Sequence, residues 1–288
     1  MRFTRLALPL LLATTCAGAA AAQTALNLPR PSPNASVTQT IGTTTLTVKY
    51  SRPGVKGRTI WGGLVPYGQP WRTGANEATQ FTCSDDVSVE GQPLPAGTYA
   101  LVTIPSANDW VVAFSRQKDM WGSNGYDPAQ DALRVTVKPQ AAPATEWLQF
   151  AFDPTAANET ELALRWEKLR VPVRVTVDVT AKVLRDCRAA VADAKPDDWQ
   201  TRYRAANWCF DNNQAVSDAA AWAAKALEIK ENFQTLSTAA KASAKTGDTA
   251  QAIERMTRAV ELGKADKNLV PAQIEPMEKL LAEWKAKK

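Results

Sequence analysis

Arg72, Asn76 and Glu77 stand close together in the stretch WRTGANEAT, directly after Trp71. An arginine offers a planar fork of donors suited to a carboxylate or a phosphate. Asn76 can donate and accept, and Glu77 accepts. Trp71, with Trp61 and Trp121 elsewhere in the chain, can add flat apolar surface. That set of side chains can hold a sugar, a peptide or a small anion. The same residues can also make a scaffold, with Arg72 paired to Glu77 or Glu167 to hold a long loop down. In both readings Arg72 and Glu77 are expected side by side at one end of a β unit, with Trp71 packed beneath them. A third reading is an enzyme working with carboxylates, such as a glycoside-active one. It needs two carboxyl groups facing each other at about 5 Å or about 6.5–9.5 Å, and Glu77 with Glu167 or Asp127 are the pairs to nominate.

Other stretches carry weaker signals. SRPGVKGR sets Arg52, Lys56 and Arg58 among two glycines. This suits an anion-binding loop, or a solvated loop after a strand. WGSNGYD, Trp121 to Asp127, can close over a ligand through Trp121 and Tyr126, or serve as a tight turn. Asp85, Asp86 and Glu90 lack the spacing of a calcium loop and read as hairpin surface. The chain contains no histidine, so a Ser-His-Asp or Cys-His arrangement is excluded, as are His-based zinc and copper sites. No metal, cofactor or catalytic residue is assigned. The overall expectation is a binding or scaffold protein.

These residues need elements to position them. Residues 36–180 hold short β-branched or alternating runs at regular spacing, among them TTTLTVKYS, TYALVTIP, WVVAFS and ALRVTVKP. Turn formers separate them, which predicts an antiparallel β-sandwich or flattened barrel. Pro172 is expected at a strand start or edge. From residue 181 alanine dominates and the period becomes helical. Helices are predicted at 181–194, 198–211, 215–230, 232–246, 248–263 and 272–286, for an α+β chain in two parts. AAAWAAKALEIKEN and QAIERMTRAVELGK echo each other, with Gly247-Asp248 where a helical hairpin would turn. They resemble two degenerate tetratricopeptide repeats; a plain helical bundle is the alternative.

Residues 1–22 read as an export leader: Arg2 and Arg5, an apolar run from Leu6 to Ala13, then small residues up to a cleavage site near Ala22. Thr15 before Cys16 argues against a lipoprotein site. No later run is long enough to span a membrane, so a periplasmic or secreted protein is expected. That compartment permits disulfides. Cys187 and Cys209, on two helices joined by the Pro196–Asp198 turn, are expected to bridge, and Cys83 to be a buried apolar residue. The formal net charge is +5, and the signs are mixed. The concentrated basic footprint of a nucleic-acid binder is missing. The expected partners are a small ligand on the β unit and a protein or peptide on the helical one.

Residues Val37 to Val179 resemble the exported bacterial family DUF2911, a domain of unknown function. YSRPGVKGRTIWGGLVPYGQPWRTGANEAT, LPAGTYALVTIP, MWGSNGYD and WEKLRVPVRV carry the likeness, in order and in register. The resemblance implies export and a β unit, and it brings no activity with it. The helical part lies beyond the family's defining region.

Overall fold

The structure, a computed structural model, describes residues 28–287. The expected leader, residues 1–22, lies outside them. Ten strands precede six helices, so the chain is α+β in two parts, as its periodicities predict. The strands are β1 (Asn34–Ile41), β2 (Thr44–Ser51), β3 (Gln80–Cys83), β4 (Val87–Val89), β5 (Gln92–Leu94), β6 (Gly97–Ile104), β7 (Trp110–Ser115), β8 (Asp131–Val137), β9 (Gln140–Ala156) and β10 (Glu159–Thr176). They form two antiparallel sheets, β1-β2-β3-β6-β7-β8 and β5-β4-β10-β9, without a closed barrel. Alternation decides the faces: Leu46, Val48 and Tyr50 of β2 point inward and are buried, while Thr45, Thr47 and Lys49 lie on the outer face. One apolar core, from Ile41 to Val177, lies between the sheets.

β9 and β10 are long. The runs ELALRWEKL and VPVRVTVDV are one strand, β10, bent at a bulge where Glu167 takes φ +55°. Pro172 therefore sits inside a strand, contrary to expectation. It falls in a gap, because β9 pairs with β10 only as far as Arg170 and β4 joins only at Val175. No ladder bond is lost to the missing N–H.

The helices are α1 (Val179–Asp193), α2 (Trp199–Asp211), α3 (Val216–Ile229), α4 (Phe233–Lys245), α5 (Thr249–Ala265) and α6 (Pro271–Ala286). Asp178, Asp198, Asn232 and Asp248 cap four of them, each accepting a backbone N–H of the first turn. α2 packs on α3 and α4 on α5, and α2 also reaches α4. This is the pattern of two tetratricopeptide-like hairpins, closed by α6. Alanine makes the close approach possible: Ala219, Ala223 and Ala226 of α3, and Ala252 and Ala259 of α5, are buried. Gly263 continues that face, where an added Cβ would lie 2.8 Å from the Phe233 ring.

The helical part is joined to the sandwich at α1. Gly42, at φ +58° in the β1–β2 turn, leaves room for Val179, whose methyls would be 2.7 Å from any Cβ there. Asp85 accepts from Thr44 and Ser84 and pairs with Lys182 Nζ at 3.2 Å. In the same hairpin Asp86 accepts from Ala96 N and Glu90 from Arg174 N. Cys187 and Cys209 are both free thiols in this structure, where a bridge is predicted. α1 buries none of its residues fully, and its apolar hold on the cluster containing α2 is the partly buried Leu184. Cys209 is enclosed, and burial pushes its thiol up to about 11. Cys83 is a buried thiol of β3, also raised to about 11 by burial.

Candidate functional site

Between Trp71 and Thr79 the chain leaves the sheet and returns. Trp71 pairs with Thr103 of β6, and Thr79 O accepts from Leu101 N two residues along the same strand. The excursion is closed by Thr79 N donating to Arg72 O at 3.2 Å. Its interior is stitched by its own side chains. Thr79 Oγ1 donates to Thr73 O at 2.8 Å, Thr73 Oγ1 to Leu101 O at 3.0 Å, and Trp71 Nε1 to Gly74 O at 3.1 Å. Thr73 and Asn76 both take φ +57°, a left-handed conformation that costs about 1–3 kcal/mol each in a non-glycine residue. A loop so strained and so fully bonded is rigid.

Trp71 is not a ligand surface. It is 8% exposed and stacks on Trp166 at 5.8 Å, with Trp61 edge-on at 5.9 Å. Trp110 completes the cluster, 4.9 Å from Trp61. Such pairs add about 0.5–1.5 kcal/mol beyond their buried area. The space beside Trp110 and Thr73 in the core is about 20 Å³, room for one water and no ligand.

Glu77 and Arg72 do not pair. Glu77 is held by Arg30, whose Nη1 contacts both carboxylate oxygens at 2.8 and 3.0 Å. Those hydrogen bonds keep Glu77 below the usual carboxylate range. Asn76 Nδ2 donates to Ser32 O at 3.2 Å, and Arg52 N to Pro33 O at 2.8 Å. The segment around Arg30 to Pro33 thus straps across the loop and engages Asn76 and Glu77. The two left-handed turns direct Glu77 outward to this strap, while Arg72 faces the next loop. Glu77 also pairs through its backbone with Trp121, and Ala78 N donates to Met120 O. No hydrogen bond or ion pair joins Glu77 to Glu167 or Asp127 among the described residues. Glu167 lies at the β10 bulge, and Asp127 caps the turn Pro128–Gln130.

Arg72 is left over. It is half-buried, and its Nη1 would be 3.7 Å from a Cβ on Gly122. Its Nε is enclosed without a hydrogen-bond partner among the described residues. Burial lowers its pKa, with no acidic neighbour to offset the effect. The expected clamp to Glu77 or Glu167 is absent.

The remaining candidates separate cleanly. Trp121 is 68% exposed. Tyr126 is half-buried, and its hydroxyl donates to Asp131 Oδ2 at 2.6 Å. In SRPGVKGR the cations fold the loop. Arg58 donates to Val55 O and Gly54 O, and Arg52 Nε to Leu148 O. The backbone N–H of Lys56 already binds Glu146 Oε1 at 2.9 Å, and Lys56 Nζ lies 5.7 Å above Trp147. The place a foreign anion would take on that N–H is filled by the chain's own carboxylate. Two groups escape a reading of the sequence. Arg30 lies 47 residues from its partner. Asp131 has no motif around it, yet its side chain is 4% exposed with Oδ1 unpartnered. Among the described residues no cluster of acids and cysteines could hold a metal, and no helix is long and apolar enough to cross a membrane.

An eight-residue strained loop tied under an N-terminal strap, on an antiparallel sandwich, defines a β-sandwich unit with a helical-hairpin extension. Residues 32–175, half of the chain, match DUF2911, described as a protein of unknown function, and the chain belongs to that family. No curated protein matches it.

Proposed function

We propose that this is an exported, non-enzymatic binding protein, periplasmic or secreted, whose β unit takes a small anion at Arg72 and whose helical array contacts a protein. The observation behind the first half is the unspent guanidinium. Other loop side chains, Thr73, Asn76, Glu77 and Thr79, are bonded within the protein. Arg72 makes no side-chain hydrogen bond or ion pair among the described residues, and its Nε is enclosed without a partner. A half-buried cation without a partner is costly, and a carboxylate or phosphate oxygen is its natural complement. With Arg30 holding Glu77 ionised, Glu77 could serve a carboxylate enzyme only as its nucleophile or base, and no second carboxyl group is bonded to it as the acid among the described residues. The helical half is supported by the hairpin stacking, which builds extended faces of the kind repeat arrays present to proteins. In an exported compartment Cys187 and Cys209 are expected to close a bridge between α1 and α2.

Thermal melts with sulfate, phosphate and citrate test the anion site. One of them should raise the melting temperature of the natural chain; an anion at a hundred times its Kd adds about 2.7 kcal/mol. Arg72→Lys should melt near normally without anion and lose the shift, because an ammonium cannot reproduce the planar fork. If no anion shifts the natural chain, or if Arg72→Lys keeps the shift, Arg72 is not a binding residue.

A further inference from the structure

We infer that the groove on the outer face of β1, β2 and β3 is a second ligand site, for a short chain of neutral sugars that stacks on Trp121. This rests on reading the β unit as a binding module and does not depend on Arg72. The groove has a volume of about 490 Å³, within the range of about 300–1,000 Å³ typical of small-molecule sites. Its floor is a row of side chains in register, Ser36 opposite Lys49 and Lys49 opposite Gln80. Strand alternation places these three outward, while their neighbours Val48 and Phe81 are buried. Its wall is Glu77.

Trp121 does not line the groove itself but stands beside its wall. It faces Glu77 across an antiparallel backbone bridge, and directly opposed residues in such a pair carry their side chains on the same side, about 5 Å apart at Cβ. Four other tryptophans of the sandwich pack together in its core. Trp121 is 68% exposed, although its loop is bonded to the rigid excursion at Ala78 and Gly122. A large ring held outward on a fixed loop, next to a polar groove, can serve as a stacking surface.

The lining selects the occupant. Glu77 is already neutralised by Arg30, yet a carboxylate has about four lone-pair sites and two contacts to Arg30 leave others free to accept. Gln80 spends its Nε2 on Lys118 O, which leaves its carbonyl oxygen. Ser36 and Lys49 make no side-chain bond among the described residues and can donate. A hydroxyl both donates and accepts, so a polyhydroxy ring matches this mixed set of donors and acceptors. A ring of C–H bonds on its other face suits the indole. β1 is an edge strand of its sheet, and an edge is where a peptide strand would add, so a peptide control belongs in the test.

Isothermal titration of the exported chain with cellotetraose, maltotetraose and chitotetraose tests the proposal. One of the three should bind with a submillimolar Kd. Trp121→Ala should weaken it by about threefold to tenfold, the loss of one aromatic stacking contact, while Trp121→Phe recovers most of it. Trp147→Ala, an exposed indole on strand β9, should change nothing. The proposal falls if none of the tetrasaccharides binds at millimolar concentration, if Trp121→Ala leaves binding unchanged, or if tetraalanine binds in their place. A chain that shifts with sulfate but binds no sugar keeps the Arg72 site and loses the groove; the converse result loses only the Arg72 site.

Discussion

Asp131 is the carboxyl group of the sandwich most shaped by burial. Its side chain is nearly enclosed, with Oδ2 receiving Tyr126 Oη at 2.6 Å and Arg134 Nε at 2.9 Å. Burial raises its pKa, and the bonds from Tyr126 and Arg134 only partly offset this. The same enclosure, with Asp131 beside it, pushes Tyr126 up to about 12. The sign for stability follows from linkage. Between the ordinary carboxylate pKa of about 3.9 and the raised native value, the folded chain binds more protons than the unfolded one. The contribution of Asp131 is therefore complete below about 3.9 and is lost as pH rises through the native value. Asp131→Asn should remove that slope. In urea melts between pH 3.5 and 6, the variant should gain on the natural chain as pH increases. A difference that stays constant, or that moves the other way, would show that the native carboxyl is not raised.

At the scale of elements, periodicity made the fold legible. The β-branched alternation of TTTLTVKYS is β2, and the alanine-rich runs became six helices whose ends lie within about two residues of the expected positions. Caps and glycines explain this, since Asp198, Asn232 and Asp248 mark helix starts in the sequence as plainly as in space. The bend of β10 was not legible, because a bulge at Glu167 depends on what β9 offers opposite it. The candidate site was legible as a place and not as a set of contacts. The turn formers around Trp71 announce a loop, but the partner of Glu77 arrives from Arg30, far along the chain, and no local rule points to it. α1 raises the remaining question at this scale. It is held by the Asp85 ion pairs, the Val179 contact at Gly42, the Arg188–Asp218 pair and the partly buried Leu184, and it buries no residue fully. A Cys187–Cys209 bridge would fasten it to α2; cross-links closing loops of this size add about 3 kcal/mol. Thiol counting on unreduced protein recovered from an exporting cell should find one reactive sulfur after denaturation, that of Cys83. Three would show that α1 is left unfastened.

The whole molecule reads as two cores with a narrow junction. One apolar cluster runs from Ile41 to Val177, and the clusters of the helical part begin at Leu184. Between them stand Val179 against Gly42, and Asp85 with Lys182 and Arg185. Domains with separate cores and few crossing contacts fold alone, and residues 32–175 are also the stretch that the family shares. Both proposed ligand sites lie on the sandwich, whereas the partner face is assigned to the array. Residues 23–177 produced alone should therefore keep the near-ultraviolet dichroism of the packed tryptophans and any anion or tetrasaccharide binding of the full chain. Losing Asp85's partners removes hydrogen bonds worth about 1–3 kcal/mol, so a modest fall in melting temperature is expected. Cross-linking in the exporting cell should give a protein adduct with the full chain and none with the shortened one. If the shortened chain is unfolded, the array is part of the β fold and not an appended partner surface. If it is folded and still forms the adduct, the partner sits on the sandwich.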